Sequence, residues 1–111
     1  IGTRGNFKMS LPETAISMEL PSILLALAES RISKQYMTRV ALQSEVFNPD
    51  QAVEAGFIDE VVEISELTAR SMAVAQQLAQ LPHAQYATNK LAIRAQTLQA
   101  MQTSFETLGK R

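Results

Sequence analysis

The apolar positions of this chain recur at helical spacing over most of its length, with two short exceptions. The first exception is the opening "IGTRGNFKM", where two glycines frame one apolar patch and predict a short strand pair or a strand beside a turn at Gly5 and Asn6. "ETAISMEL" fits an extended stretch or a helical turn equally well. Pro21 suits the first turn of a helix, where its missing N–H costs nothing. That helix is predicted over about Ser22–Ser30, burying Ile23, Leu24 and Leu27. Ser33 is placed to cap a second helix, with Tyr36, Met37, Val40 and Ala41 three and four apart.

In "NPDQAVEAG" the punctuation is sharper, with Asn48 as cap, Pro49 at the first position and Gly56 as stop. "FIDEVVEI" is the second exception, a short strand or extended segment carrying Phe57, Ile58, Val61 and Val62. Ser65 opens a longer helix with Leu67, Val74, Leu78 and Leu81 along one face, closed by Pro82. The last helix is predicted over about His83–Leu108, with Leu91, Ala95, Leu98, Phe105 and Leu108 on one stripe read as core or subunit contact. The fold class is therefore mainly α with a few short strands. Parallel strands need neighbours and cover on both faces, so so few of them imply part of a larger fold. The chain also opens on Ile1, in strand-like text, which suggests a natural N-terminus upstream.

Composition narrows the partners. Ten Lys+Arg against 11 Asp+Glu leave a net charge of -1, whereas nucleic-acid binding needs a basic surplus. The absence of cysteine excludes disulfides and thiolate metal sites. The longest strongly apolar run, "ILLALA" at 23–28, is far too short to span a bilayer, and no secretory signal is visible, so a cytoplasmic location is expected.

Three blocks, taken in order, carry a family likeness: "FKMSLPETAISMELP" (7–21), "NPDQAVEAGFIDEVV" (48–62) and the closing helix pair from Ser65 with "ATNKLAIRA" (87–95). Together they resemble the C-terminal half of the crotonase superfamily, the enoyl-CoA hydratase/isomerase proteins. The resemblance implies the C-terminal part of the α/β crotonase (ClpP-like) spiral fold. Residues 1–62 would then close the core and carry the catalytic-glutamate segment, and 63–111 would form a helical oligomerisation region. It also implies an acyl-CoA substrate, no cofactor beyond the coenzyme A of that substrate, and a homo-oligomer, trimer or hexamer.

By position, the family's catalytic glutamate falls on Glu13, directly after Pro12. Its role there is to move a proton at the α or γ carbon of an acyl-CoA thioester. Apolar walls around a carboxylate push its pKa upward, nearer the working pH, so that it can take and return a proton. Leu11, Ile16 and Met18 are the local candidates for such walls. The stretch after Glu13 has no glycine where hydratases carry a glycine-rich loop, and so looks more like the isomerase-type branches. The family's oxyanion hole, and the first glutamate of the hydratases, would precede Ile1.

The residues alone leave other readings open. Glu13 could be an exposed acid at a helix start, favoured by the helix dipole, and the whole chain could be a non-catalytic helical oligomerisation module. Glu19 reads as a solvated acid, and His83, the single histidine, as a solvated helix-start residue without a second histidine to share a metal. Arg31, Lys34 and Arg39 could meet CoA phosphates, though solvated helix charges are commoner. Lys110 and Arg111 could reach a neighbouring subunit's nucleotide. Asp59 reads as structural.

Overall fold

Asn48 starts a helix in the way its neighbours dictate. In the computed structural model, which describes residues 1–108, its side chain accepts a hydrogen bond from the Gln51 N–H at 2.8 Å. The Gln51 side chain in turn accepts from the Asn48 N–H at 3.1 Å, so two otherwise orphaned donors are satisfied reciprocally. The helix, α2, runs Pro49–Ala55 and stops at Gly56, whose φ of 102° is left-handed. A methyl group on Gly56 would lie 2.7 Å from the carbonyl oxygen of Arg31. Only glycine allows α2 to end this close to the preceding segment, where the Ser33 N–H also donates to Ala55 O at 3.0 Å.

Around this join lies a small core of Ala28, Ile32, Val40, Phe47, Ala52 and Ala55, all buried. Phe47 is its centre. Its ring meets Tyr36 edge-on with centroids 6.1 Å apart, and Phe57 at a tilt with centroids 5.7 Å apart. Met9, Leu11, Met37 and Ile58 close over the cluster, half-buried.

Gly2–Thr3 form β1, which pairs in parallel with β2, Val61–Val62, in the register Gly2↔Val61 and Thr3↔Val62. The expected turn follows, with Gly5 at φ 145°, but the strand's partner is distant in sequence rather than local. Further on, Met9 and Phe47 exchange two backbone hydrogen bonds of 2.9 Å in an isolated antiparallel bridge.

Helix α1 spans Ser22–Arg31, one residue longer than expected, but it buries other residues. Leu24 and Leu27 are exposed and Ile23 is half-buried, while Ala28 enters the core. Apolar side chains at 23, 24, 25 and 27 surround α1, so their spacing cannot choose a face. The helix expected after Ser33 is instead a 3₁₀ turn, Lys34–Tyr36, followed by a π-helical turn, Thr38–Leu42, and Ser33 makes no side-chain cap. Burial of Val40 and a bond from the Glu45 N–H to Arg39 O at 3.0 Å hold this widened turn in place.

Ile64–Glu66 form a 3₁₀ turn, and α3 then runs Leu67–Ala79 rather than starting at Ser65. Arg70 pairs with Glu60 through bonds of 2.6 and 3.1 Å, tying α3 back to the approach to β2. Leu67 and Val74 are half-buried, but Leu78 and Leu81 are exposed. After the break at Pro82, α4 covers His83–Leu108, the predicted range.

The face of α4 that lies along α1 carries Thr97, Met101 and Ser104, all half-buried. Of the two readings of the predicted stripe, subunit contact is left standing and core within the chain is corrected, because Leu91, Leu98, Phe105 and Leu108 are exposed. Length explains it, because 26 residues of helix span about 39 Å and the ten of α1 only about 15 Å. Phe105 is 70% exposed, so Phe105→Ala should cost the chain less than about 1 kcal/mol. Chemical denaturation would show otherwise if the loss reached the 3–5 kcal/mol of a buried aromatic.

Candidate active site

Glu13 follows Pro12 and leads into a 3₁₀ turn, Thr14–Ile16. Its backbone carbonyl closes the turn, accepting from the Ile16 N–H at 3.2 Å and the Met18 N–H at 2.8 Å. Its side chain makes no capping bond, and Glu13 is half-buried where the alternative reading expected an exposed acid. Oε2 is shut off from solvent and has no hydrogen-bond partner among the described residues. Leaving a buried acceptor unpaired costs about 1–3 kcal/mol, more when it is charged. Such an atom needs a reason, and a reacting partner is one of the few available.

The loop that carries Glu13 is fastened on both sides. The Met9–Phe47 bridge holds its start. The Thr14 hydroxyl donates to Ala41 O at 3.2 Å, and the Ala15 N–H donates to Ser44 Oγ at 3.2 Å. Sequence reading passed over Thr14 and Ser44. The available signal was chemical type, since Ser and Thr in loops commonly bond to nearby backbone groups. Of the expected apolar walls, Leu11 packs against the core, whereas Ile16 and Met18 are 58% and 57% exposed.

None of the other described candidates hydrogen-bonds to Glu13 Oε2. Glu19 is exposed and lines an open cleft of about 670 Å³ between the start of α1 and the end of α4. His83 is exposed at the start of α4, and no group of three metal-ligating side chains occurs among the described residues. Two of the cations considered for CoA phosphates are already engaged. Arg31 pairs with the exposed Asp59 at 2.7 Å. Arg39 grips Glu45 through bonds of 2.6 and 2.7 Å and lies over the Tyr36 ring. Those bonds hold the Glu45 carboxyl below its ordinary pKa and raise that of Arg39. Lys34 is exposed, and Lys110 and Arg111 lie outside the described residues.

Neither a family model nor a curated protein matches the sequence. Solved structures match it closely in shape. An enoyl-CoA hydratase/isomerase family protein from Pseudomonas syringae superposes with a TM-score of 0.90 at 32% identity, over 96% of this chain and 46% of its own. This chain has the fold of the C-terminal half of a crotonase. A Mycobacterium tuberculosis enoyl-CoA isomerase gives a TM-score of 0.89 at 24% identity, over 98% of this chain and 48% of its own. An enoyl-CoA hydratase from Mycobacterium ulcerans gives 0.89 at 23%, over 97% and 47%. These last two speak for the fold alone, and between them they bear both activity names.

The chain spans about half the length of the crotonases it matches. Its mainly helical make-up and two short parallel strands are what that half of the crotonase fold contains. No helix among the described residues is long and apolar enough to cross a membrane.

Proposed function

We propose that this chain is the C-terminal half of an enzyme that acts on an acyl-CoA thioester through an enolate, with Glu13 as the acid/base. The observation that carries the reading is the buried, unpartnered Oε2 of Glu13, in a fold shared with enoyl-CoA hydratase/isomerase proteins. A carboxylate that spends no lone pair on its own fold keeps it for a proton of the substrate. Glu13 takes a proton from carbon, leaving the electron pair delocalised into the thioester as an enolate, and returns the proton to carbon. Stabilising that enolate takes hydrogen-bond donors aimed at its oxygen, usually the largest single catalytic contribution. Those donors, and most of the CoA-binding surface, belong to residues outside this chain. The coenzyme A is part of the substrate, and no separate cofactor takes part.

Moving a double bond requires one such acid/base, whereas adding water ordinarily uses a second glutamate. The glycine-free stretch after Glu13 favours bond migration. In this division of labour residues 1–62 present Glu13 and residues 63–111 mediate assembly into a trimer or hexamer. The exposed apolar side chains of α3 and α4 (Met72, Leu78, Leu91, Ile93, Phe105) support that assembly role. They also sustain a second reading, in which the chain serves only as a helical oligomerisation module.

Offering the full-length protein a 3-enoyl-CoA and a 2-enoyl-CoA in deuterated water decides between these. Bond migration with deuterium at carbon and no water added is the expected result. A 3-hydroxyacyl product would move the protein to the hydratase branch. No turnover of either thioester, with deuterium absent from the recovered substrates, would leave the assembly module as the better account.

A further inference from the structure

We propose that Thr14 and Ser44 are positioning residues that fix the Glu13 carboxylate, an inference that rests on the reading of Glu13 as the acid/base. Glu13 Oε2 has no hydrogen-bond partner among the described residues, so its place depends on the backbone that carries it. That backbone is clamped at the next two residues. The Thr14 hydroxyl reaches Ala41 O inside the π-helical turn at 3.2 Å. The Ala15 N–H reaches Ser44 Oγ, also at 3.2 Å. Both bonds are donated by the loop to the facing segment, one from a side-chain hydroxyl and one from a backbone N–H, so adjacent loop residues are held at two points 3 positions apart on that segment.

Two departures from ordinary backbone occur in the facing segment. Its helix widens into a π turn over Thr38–Leu42, leaving Ala41 O to accept from Thr14. Such turns are frequent at functional sites. Ser44 then adopts φ 51°, a left-handed conformation that, among the described non-glycine residues, only Ser17 shares. Ser17 ends the Glu13 turn itself. Left-handed non-glycine residues thus occur both in the turn that carries Glu13 and in the segment bonded to that turn, as expected where geometry is over-determined for function.

The test compares Thr14→Val, Ser44→Gly, Thr14→Ser and Glu13→Gln in the full-length protein, with turnover and solvent-deuterium exchange at the substrate carbon as readouts. Ser44→Gly removes only the hydroxymethyl group and suits the left-handed backbone, so it folds even if Thr14→Val does not. Thr14→Val and Ser44→Gly should each lower kcat roughly tenfold to a hundredfold, the usual effect of misplacing a reacting group by about 1 Å. KM should stay nearly constant, deuterium exchange should fall in parallel with kcat, and Thr14→Ser should restore both. A collapse in Glu13→Gln with unchanged kcat in Ser44→Gly and Thr14→Val would overturn the positioning role and leave Glu13 as the acid/base. A rise in KM at constant kcat would overturn it as well. Full activity of Glu13→Gln would instead remove the reading on which the proposal rests.

Discussion

Glu13→Gln in the full-length protein should keep the fold and acyl-CoA binding and lose turnover by roughly 10²–10⁴-fold, the usual worth of a positioned acid/base. The amide is nearly isosteric with the carboxylate. The Glu13 side chain makes no capping bond, and its Oε2 has no partner among the described residues. Exchanging that oxygen for an NH₂ therefore disrupts no hydrogen bond of the fold. Stability should be unchanged or slightly increased, because an unpaired buried carboxylate is costly. The combination is diagnostic: a large loss of kcat together with an undiminished melting temperature. If Glu13→Gln lowered stability and turnover together, the carboxylate would be a structural group. If it lowered neither, Glu13 would have no part in the reaction.

The second large effect concerns Phe47. Its side chain is 1% exposed and its ring touches two other aromatic rings. Phe47→Ala should cost roughly 3–5 kcal/mol, the range for deleting a buried aromatic. Domains hold only about 5–15 kcal/mol in total, and besides Phe47 the buried core among the described residues is only Ala28, Ile32, Val40, Ala52 and Ala55 with Pro49. The variant should therefore be largely unfolded under mild denaturant, as followed by circular dichroism. Phe47→Leu should recover part of the loss. A cost below about 1 kcal/mol would mean that the ring is not the centre of the core. The same substitution should also reach the site, because the Phe47 backbone pairs with Met9, at the start of the loop that leads to Glu13.

What the sequence made legible was whatever chemistry enforces locally. Asn48, Pro49 and Gly56 each have one conformational task in a short helix, and each performs it. Pro82 separates two helices because it cannot continue the first and is tolerated near the start of the second. The faces of α1 and α4 were not legible. Both helices carry apolar residues on several sides, and which side is buried depends on partners that no local pattern encodes. The widened turn at Thr38–Leu42 was missed for a related reason: its residues are spaced like those of an ordinary helix, and tertiary burial of Val40 accompanies the difference. At the candidate site, Glu13 is singled out by family likeness alone. The clamp from Thr14 and Ser44 joins residues 27 and 29 positions apart, a pairing that spacing cannot reveal.

The parallel pair of β1 and β2 has a kinetic meaning. Its register, like the Arg4–Glu63 ion pair beside it, joins residues 59 apart in sequence. Closing a flexible loop of that length costs roughly 3–4 kcal/mol of chain entropy, and only two residues of ladder form in return. The Asn48 cap and the Arg39–Glu45 pair close over three and six residues and carry almost none of that penalty. The expected order of folding follows, with the α2 hub and its aromatic cluster assembling first and the leading strand docking afterwards, which pulse-labelled hydrogen exchange would show as earlier protection of α2 than of β1.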